Sequence, residues 1–441
     1  MSPDYPKINV GLLGMGVVGS RLAKYLLEET TEVDSPIIKQ LTLKSILVSD
    51  LNKERSYQPP SSIVTDDPEV ILQDPNISVV IELIGGEYPA VDLITKAISL
   101  GKHVVTANKE VIAKHGSKLS ELAGKAGVSI QFEASVGGGI PTIGPLIDDL
   151  SANQISSIRA IINGTTNFIL SKMSNDHLDF PSALSQAQSL GFAEANPKND
   201  LEGTDAAYKL AILASLAFHT FLDPSDIFRE GIEGLDARDF LYAQELGREI
   251  KLLAITKRLD QHTIEARVHP ALLPISSPLS KIDGASNAIE VNGDLIGSVM
   301  FSGPGAGATP TISAVLADIL SITKRIGDPH SKQGSKIMGA HGNPYESVSV
   351  KPIVELKTRY YLRLNAEDRG GVLAQIATVM GALDISIASV IQKDNDPESH
   401  TAELVIITHP ALESSIQEAI NRLNSLESIK RFDCMIRLEE E

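Results

Sequence analysis

"KINVGLLGMGVVGSRLAKYLLEE", residues 7–29, decides the fold. The apolar run Ile8 to Leu13 reads as a strand. Gly14-Met15-Gly16-Val17-Val18-Gly19 then gives a G-x-G-x-x-G turn, and Leu22, Tyr25, Leu26 and Leu27 mark the inner side of an amphipathic helix. In such a strand–turn–helix the first glycine permits a tight turn and the second lets a pyrophosphate approach the backbone. The third lets helix and strand pack closely, while the helix N-terminus offers N–H donors to the phosphates. The bare string is weak, and a glycine turn that binds nothing is the plainer alternative. Its position between strand and helix, with more such units downstream, points to dinucleotide binding.

The pattern repeats outward from this motif. "LTLKSILVSD" (41–50) reads as a second strand ending at Ser49-Asp50, and "VVIELIGG" (79–86) as a third with Gly85 and Gly86 at its carboxyl end. The helix "PAVDLITKAISLG" comes next, then a strand–turn–helix "HVVTANKEVIAKHG" and a strand running into glycines, "VSIQFEASVGGGIP". Strands alternating with helices predict an α/β, Rossmann-type, doubly wound parallel sheet over residues 1–150. From about Ser151 longer helices and alternating segments suggest an α+β substrate domain over 151–327, whose last helix, within 305–327, packs back on the first domain. Residues 328–350 are polar with Gly, Pro and Ser and read as a linker. Residues 351–441 then have the order βαββαβ, a ferredoxin-like pattern.

Composition narrows the function. With 441 residues, 42% hydrophobic and 22% charged, the chain has ample material for a core. A formal net charge of −17 without a long basic run argues against nucleic acid as a partner. The single cysteine, Cys434, excludes a disulfide framework and a multi-cysteine metal site, as expected of a reducing cytoplasm. No signal peptide and no apolar stretch of about 18 residues is apparent, so no membrane association is expected.

Several polar residues stand out against this background. Asp50 can accept from the ribose hydroxyls of NAD, whereas Lys53 and Arg55 can pair with the extra phosphate of NADP, which Ser49 would tolerate. The balance tips slightly to NADP, although loop charges facing water are the plainer alternative. Lys109 in "TANKE" lies at the carboxyl end of a strand, where ligands collect, yet a lysine there is more often simply exposed. Glu133, ahead of three glycines, offers one carboxylate and several carbonyls to a hard cation, but an ordinary tight turn is the better reading of these residues alone. "GFAEANPKNDLEGTDAAYK" (191–209) gathers Glu194, Asp205 and Lys209. Asp205 and Lys209 are four apart on a helix apolar nearly all round. A surface ion pair is the alternative there, but a buried isolated pair is rarely a net gain, which favours chemistry. One carboxylate can hold an ammonium, the other a hydroxyl or water, and the lysine can move a proton.

Together "GLLGMGVVGS", "ELIGG", "VVTANKE", "FEASVGGGIP", "INGTTNFIL", "GFAEANP", "EGTDAAYKLAIL" and "FSGPGAGATPT" resemble homoserine dehydrogenases in order and spacing, from residue 8 to about 325. "RYYLRLNAEDRGGVLAQIATVMGALDISIASVIQ" is similar to an ACT domain, an amino-acid-sensing module. The resemblance implies NAD(P)-dependent interconversion of L-homoserine and L-aspartate 4-semialdehyde, on the route to threonine, methionine and isoleucine, and makes residues 151–327 the catalytic and dimerisation domain. It implies that Lys209 is the favoured proton donor, that Lys109 stands beside nicotinamide and substrate, and that Glu194 and Asp205 hold the amino acid's polar end. Asn163, Gly164 and Thr165 would line the same pocket. Glu133 with Val136, Gly138 and Ile140 would form a sodium site, and Gly303 a second glycine turn near the cofactor. Threonine is the implied effector, at Asn365, Asp368, Gly371 and Val372, in a homodimer or homotetramer.

Departures from the family pattern are small: Val17 stands where threonine is frequent, Asn196 replaces a common aspartate, and Gly370 replaces a proline. An aspartate-semialdehyde dehydrogenase needs a nucleophilic cysteine, and Cys434 lies in the C-terminal module. A non-catalytic sensor of NADP and an amino acid is the remaining alternative, disfavoured by the retention of Glu194, Asp205 and Lys209.

Overall fold

The computed structural model describes residues 7–30, 33–326, 348–396 and 400–440. The chain divides into two compact units. The first comprises Met1–Ile158, Tyr208–Asp226 and Asn287–Val348, and the second Arg159–Ala207, Ile227–Ser286 and Ser349–Glu441. The helix Thr204–Ala217 passes from one to the other between Ala207 and Tyr208.

In the first unit β1 (Ile8–Leu13), β2 (Leu41–Leu47), β3 (Val64–Thr65), β4 (Val79–Glu82), β5 (His103–Thr106) and β6 (Ile130–Gln131) form a sheet in the order β3-β2-β1-β4-β5-β6. Every pairing is parallel. The order reverses between β1 and β4, which makes a crevice outside the carboxyl ends of these strands, where ligands bind in such sheets. The connecting helices are α1 (Val17–Lys24), α2 (Glu69–Leu72), α3 (Ala90–Ser99) and α4 (Lys109–Ala126), followed by α5 (Ile143–Ile147). Strands buried on both faces explain the near-continuous apolar runs read from the sequence. Val10, Leu12, Val79, Ile81 and Val105 are buried in one core with Leu22 of α1. Ile312, Val315, Ile319 and Ile322 of the helix Ala308–Ile326 complete that core, so this late segment packs against the sheet it follows by some two hundred residues.

Two elements differ from the sequence reading. α1 ends at Lys24 and continues as a π-helical turn, Tyr25–Glu29, rather than one uniform helix. β6 is only two residues long and gives way to a 3-10 turn, Glu133–Ser135. The cause is visible in the hydrogen bonds: the Glu133 N–H donates to Asp318 Oδ2 at 2.9 Å, so the chain leaves the ladder there.

In the second unit the strands Arg248–Arg258 and Thr263–Pro274 form a long antiparallel hairpin. The end of the strand Ile429–Leu438 pairs in parallel with it, Ala271 with Arg437 and Leu272 with Leu438. Beyond lie Lys357–Glu367, Thr401–Thr408 and Ile387–Asp396, all antiparallel to their neighbours. With the helices Val372–Gly381 and Glu413–Asn424 this is the βαββαβ module, and its core joins Tyr360, Leu362 and Leu364 to Ile376, Met380, Ile416 and Leu423. Most of the stretch read as a linker lies outside the described residues, but Ser349–Val350 forms a short strand paired with Thr263 and Ile264.

The opposite face of that module is held by charge. Arg363, 2% exposed, donates to Asp239 at 2.7 and 3.2 Å and to Glu403 at 3.1 Å. The Tyr361 and Tyr242 hydroxyls and Arg238 donate to the same two carboxylates. Asp239, Arg238 and Tyr242 belong to the helix Ala237–Glu245, which thereby sits on the middle of the sheet. Among the described residues no helix is long and apolar enough to cross a membrane.

Candidate active site

The glycine motif adopts the geometry its spacing demands. Gly14 takes φ 97°, and a Cβ there would lie 2.8 Å from the Leu83 carbonyl oxygen. A Cβ on Gly19 would lie 2.2 Å from the Gly14 carbonyl oxygen, so α1 and the turn touch backbone to backbone. Gly16 stands at the N-cap of α1 with no side chain to fill the approach, Val17 is exposed and Val18 half-buried.

A cavity of about 490 Å³, within the usual range for ligand sites, opens over this turn, lined by Gly14, Gly16, Ser49, Lys53, Arg55 and Ile84 among others. The Arg55 guanidinium donates to the main-chain carbonyls of Lys53 at 2.8 Å and Asp50 at 2.6 Å. Asp50, in contrast, folds onto its own turn, its carboxylate accepting from the Asn52 N–H at 2.8 Å. Asp50 and Arg55 are thus both engaged within their own turn, while Ser49 and Lys53 also border the cavity. These residues can meet the ribose and phosphates of a nicotinamide dinucleotide. Gly85 takes φ 79° at the exit of β4. Lys109 is the first residue of α4 and half-buried, directly after the N-cap Asn108, whose side chain accepts from the Val111 N–H at 3.2 Å.

Glu133 has a different place from the one expected of a cation ligand. Its carboxylate accepts the N–H groups of Thr142 (2.6 Å), Ile143 (2.9 Å) and Gly144 (2.7 Å) and so caps the start of α5. The oxygen cage read from the sequence therefore loses its carboxylate to the backbone. The carbonyls of Val136, Gly138 and Ile140 belong to the next turn, which folds through positive φ at Gly137 and Gly138. A Cβ on Gly138 would lie 2.6 Å from the Gly305 carbonyl oxygen, and one on Gly303 would lie 3.4 Å from Ile140 Cγ1. The two glycine turns singled out in the sequence thus pack against each other.

In the second unit Asn163 is the centre of a buried polar cluster. Its Nδ2 donates to Asp205 Oδ2 at 2.8 Å and to Asp200 Oδ1 at 2.6 Å. Its Oδ1 accepts from the N–H and hydroxyl of Thr166, which caps the helix Gly164–Asn175. Those bonds fix which end of the amide faces the acids. Gly164 packs against the Ala285 carbonyl, where a Cβ would come within 2.9 Å. Thr165 donates to the Phe192 carbonyl at 2.6 Å, and the Phe192 ring stacks on Phe168 with centroids 4.7 Å apart. These contacts tie down the loop that leads to Glu194, itself exposed, with a carbonyl accepting from Gln188. Asp205 is buried, as the periodicity of its helix requires, and Lys209, one turn on, is half-buried.

Sequence reasoning does not single out Asp200, because "NPKND" is an ordinary polar stretch; only the shared Asn163 amide reveals it. It also passes over Glu82 and Thr106, which look like common strand residues. The expected catalytic lysines, Lys109 and Lys209, fall in the first unit, and Asn163, Glu194 and Asp205 in the second. In the C-terminal module Gly371, at φ 93°, starts the helix at Val372 with no side-chain cap. Asp368 accepts from Gln392 at 3.2 Å, and Asn365 is half-buried on the adjoining strand.

Similarity to known proteins extends over nearly the whole chain. A family model for the homoserine dehydrogenase NAD-binding domain matches residues 14–133, one for homoserine dehydrogenase matches 141–320, and one for the ACT domain matches 360–428. A homoserine dehydrogenase of Neisseria gonorrhoeae is 41% identical over 433 residues, covering 98% of each chain. The crystal structure of a homoserine dehydrogenase from Thiobacillus denitrificans, 38% identical, superposes with a TM-score of 0.88 over 98% of each chain. A hyperthermophilic archaeal homoserine dehydrogenase in complex with NADPH is 27% identical and covers 72% of this chain and 98% of its own, with a TM-score of 0.60. Matches in sequence and in structure thus run over nearly the full length, and the chain belongs to the homoserine dehydrogenase family.

Proposed function

We propose that the chain interconverts L-homoserine and L-aspartate 4-semialdehyde with a nicotinamide dinucleotide, preferring NADP, as a cytoplasmic homodimer or homotetramer supplying threonine, methionine and isoleucine. The observation that carries this reading is the gathering of Asp200 and Asp205 on one buried amide, Asn163. Two acids held in a fixed relation suit the charged end and hydroxyl of a small amino alcohol. Because Asn163 is itself anchored by Thr166, the acids meet the substrate already oriented, which removes part of the entropic cost of reaction.

A nicotinamide dinucleotide held over Gly14 and Gly16 would supply hydride exchange with the carbinol carbon. Lys209 moves the accompanying proton, taking it from the hydroxyl in one direction and donating it to the aldehyde oxygen in the other. Lys109 adds positive charge where the alkoxide develops. Glu194 and Asp205 hold the ammonium, and Lys53 and Arg55 take the additional phosphate of NADP. A sodium ion, if it binds at the glycine turn, would be held by the carbonyls of Val136, Gly138 and Ile140, with Glu133 anchoring α5 behind them. Threonine at the turn of Asn365, Asp368, Gly371 and Val372 would regulate the rate, its carboxylate meeting N–H groups at the helix start.

Lys209→Ala tests the assignment. Turnover should fall by about 10²- to 10⁴-fold, the usual worth of a positioned acid–base group, while NADPH affinity stays near wild type. Undiminished turnover would remove this lysine from the mechanism.

A further inference from the structure

β4 and β5 end side by side, and a single chain of hydrogen bonds joins the two turns beyond their carboxyl ends. Glu82, the last residue of β4, has no exposed surface. Its Oε1 accepts from the N–H groups of Ile84 at 2.7 Å and Gly85 at 3.3 Å, and its Oε2 from the Thr106 hydroxyl at 2.5 Å. The Thr106 oxygen accepts in turn from the Asn108 N–H at 3.0 Å. Asn108 Nδ2 donates to the Gly86 carbonyl at 2.7 Å, closing the circuit, while its Oδ1 caps α4.

We propose that Glu82 is a positioning residue: through Thr106 and Asn108 it fixes Lys109, the first residue of α4, against the Gly85–Gly86 turn. The proposal rests on the reading of Lys109 as catalytic. The direction of every bond supports it. An ionised carboxylate only accepts, so the Thr106 hydroxyl must donate to Glu82, and its lone pair is then left for the Asn108 N–H. A neutral glutamine with its oxygen on the Ile84 and Gly85 N–H groups would turn an N–H toward Thr106 and reverse that one bond. Burying a carboxylate for a strand end alone is costly when a neutral residue would serve. Here it imposes one orientation on the glycine turn beside the cavity and on the start of α4. The lysine's backbone is set by its neighbour's cap and main chain.

A double-mutant cycle in the full-length enzyme tests this. Thr106→Val keeps the volume and removes the hydroxyl, so kcat should fall about 10- to 100-fold, the scale of a misplacement near 1 Å, with KM for homoserine near wild type. Thr106→Ser should restore most of the loss. In a Lys109→Ala background Thr106→Val should cost nothing further, because a residue acting through the lysine has nothing left to position. Asn108→Ser, which can still cap α4 but cannot reach the Gly86 carbonyl, should behave like the valine variant and covers the case in which the latter fails to fold. Additive losses, an unchanged kcat in both variants, or failure of serine to rescue would overturn the proposal alone. Wild-type turnover in Lys109→Ala would overturn the role given to that lysine, and this proposal with it.

Discussion

The two units bury acidic side chains in different ways. In the first, Glu82 and Glu133 are met by main-chain N–H groups close by in sequence, and Asp318 by the Glu133 N–H. In the second, Asp205 meets the Asn163 amide, but the other buried acids meet arginines: Asp239 and Glu403 with Arg363, Glu413 with Arg437, and Glu439 with Arg267 at 2.6 Å. Acids of the first kind shape turns at the ends of strands, where ligands approach. Those of the second kind hold together segments distant in sequence, and they fasten the C-terminal module to the helix and hairpin beside it.

The difference also sets opposite responses to pH. Burial, with Glu133 close by, pushes the Asp318 carboxyl well above its ordinary 3.8. Its contribution is therefore fully present below that value and is lost as pH rises through the folded value. Burial works against ionised Glu439, but Arg267 and Lys257 outweigh it and hold the acid at about 2. Its contribution is complete above the ordinary 4.5 and disappears as pH falls toward about 2. His269, pressed well below 6.5 by burial and then by Arg437 and Arg267, acts in the same sense, losing stability as pH falls below 6.5. It accepts from Arg267 Nε at 3.2 Å, a bond its protonated ring could not make.

Breaking an ion pair should give the largest effect. Arg363→Ala strands buried Asp239, leaves Glu403 with Arg238 alone as its cation, and should destabilise the second unit by about 3–5 kcal/mol, read as lost hydrogen-exchange protection in the strand Lys357–Glu367. A loss below about 1 kcal/mol would place the pair with exposed ones. Next, Glu439→Gln should flatten the fall in stability between pH 4.5 and about 2, because the titrating partner of Arg267 is gone. An unchanged acid limb would show that other groups govern it. Asp318→Asn should be smaller again. The amide oxygen can still accept the Glu133 N–H, so stability should match wild type in acid and exceed it modestly near pH 8, within the usual span of stability maxima. Loss of stability at both ends would mean that the carboxylate, not merely an acceptor, is needed. The exposed helical pair Lys125 and Glu121 is the control, and Glu121→Gln should leave the melting temperature unchanged.

Legibility in the sequence tracked the distance between interacting residues. The Gly14–Gly19 turn and the buried position of Asp205 come from spacings within a few residues, and the parallel sheet from the repetition of such local units. The reading of β6 as a longer strand failed because Asp318, 185 residues on, takes the N–H of Glu133. For Glu133 the sequence shows only a carboxylate beside glycines, and the helix start it caps lies 9 to 11 residues on. Asp200 is recognisable only through an amide 37 residues away, and Glu82 only through a hydroxyl 24 residues away. No period or motif marks such partners, since strand ends meet in space according to the order of the sheet.

The account stands on two ideas: a dinucleotide seats on the first glycine turn, and a short amino alcohol is oxidised beside Lys209. Purified full-length protein given NADP and L-homoserine is the direct measurement, with NADPH absorbance as the readout. Absorbance that rises with homoserine, and is nearly abolished in the Lys209→Ala protein, is the result expected. Protein that binds NADPH yet leaves NADP unreduced in the presence of homoserine would contradict the account and describe a sensor instead.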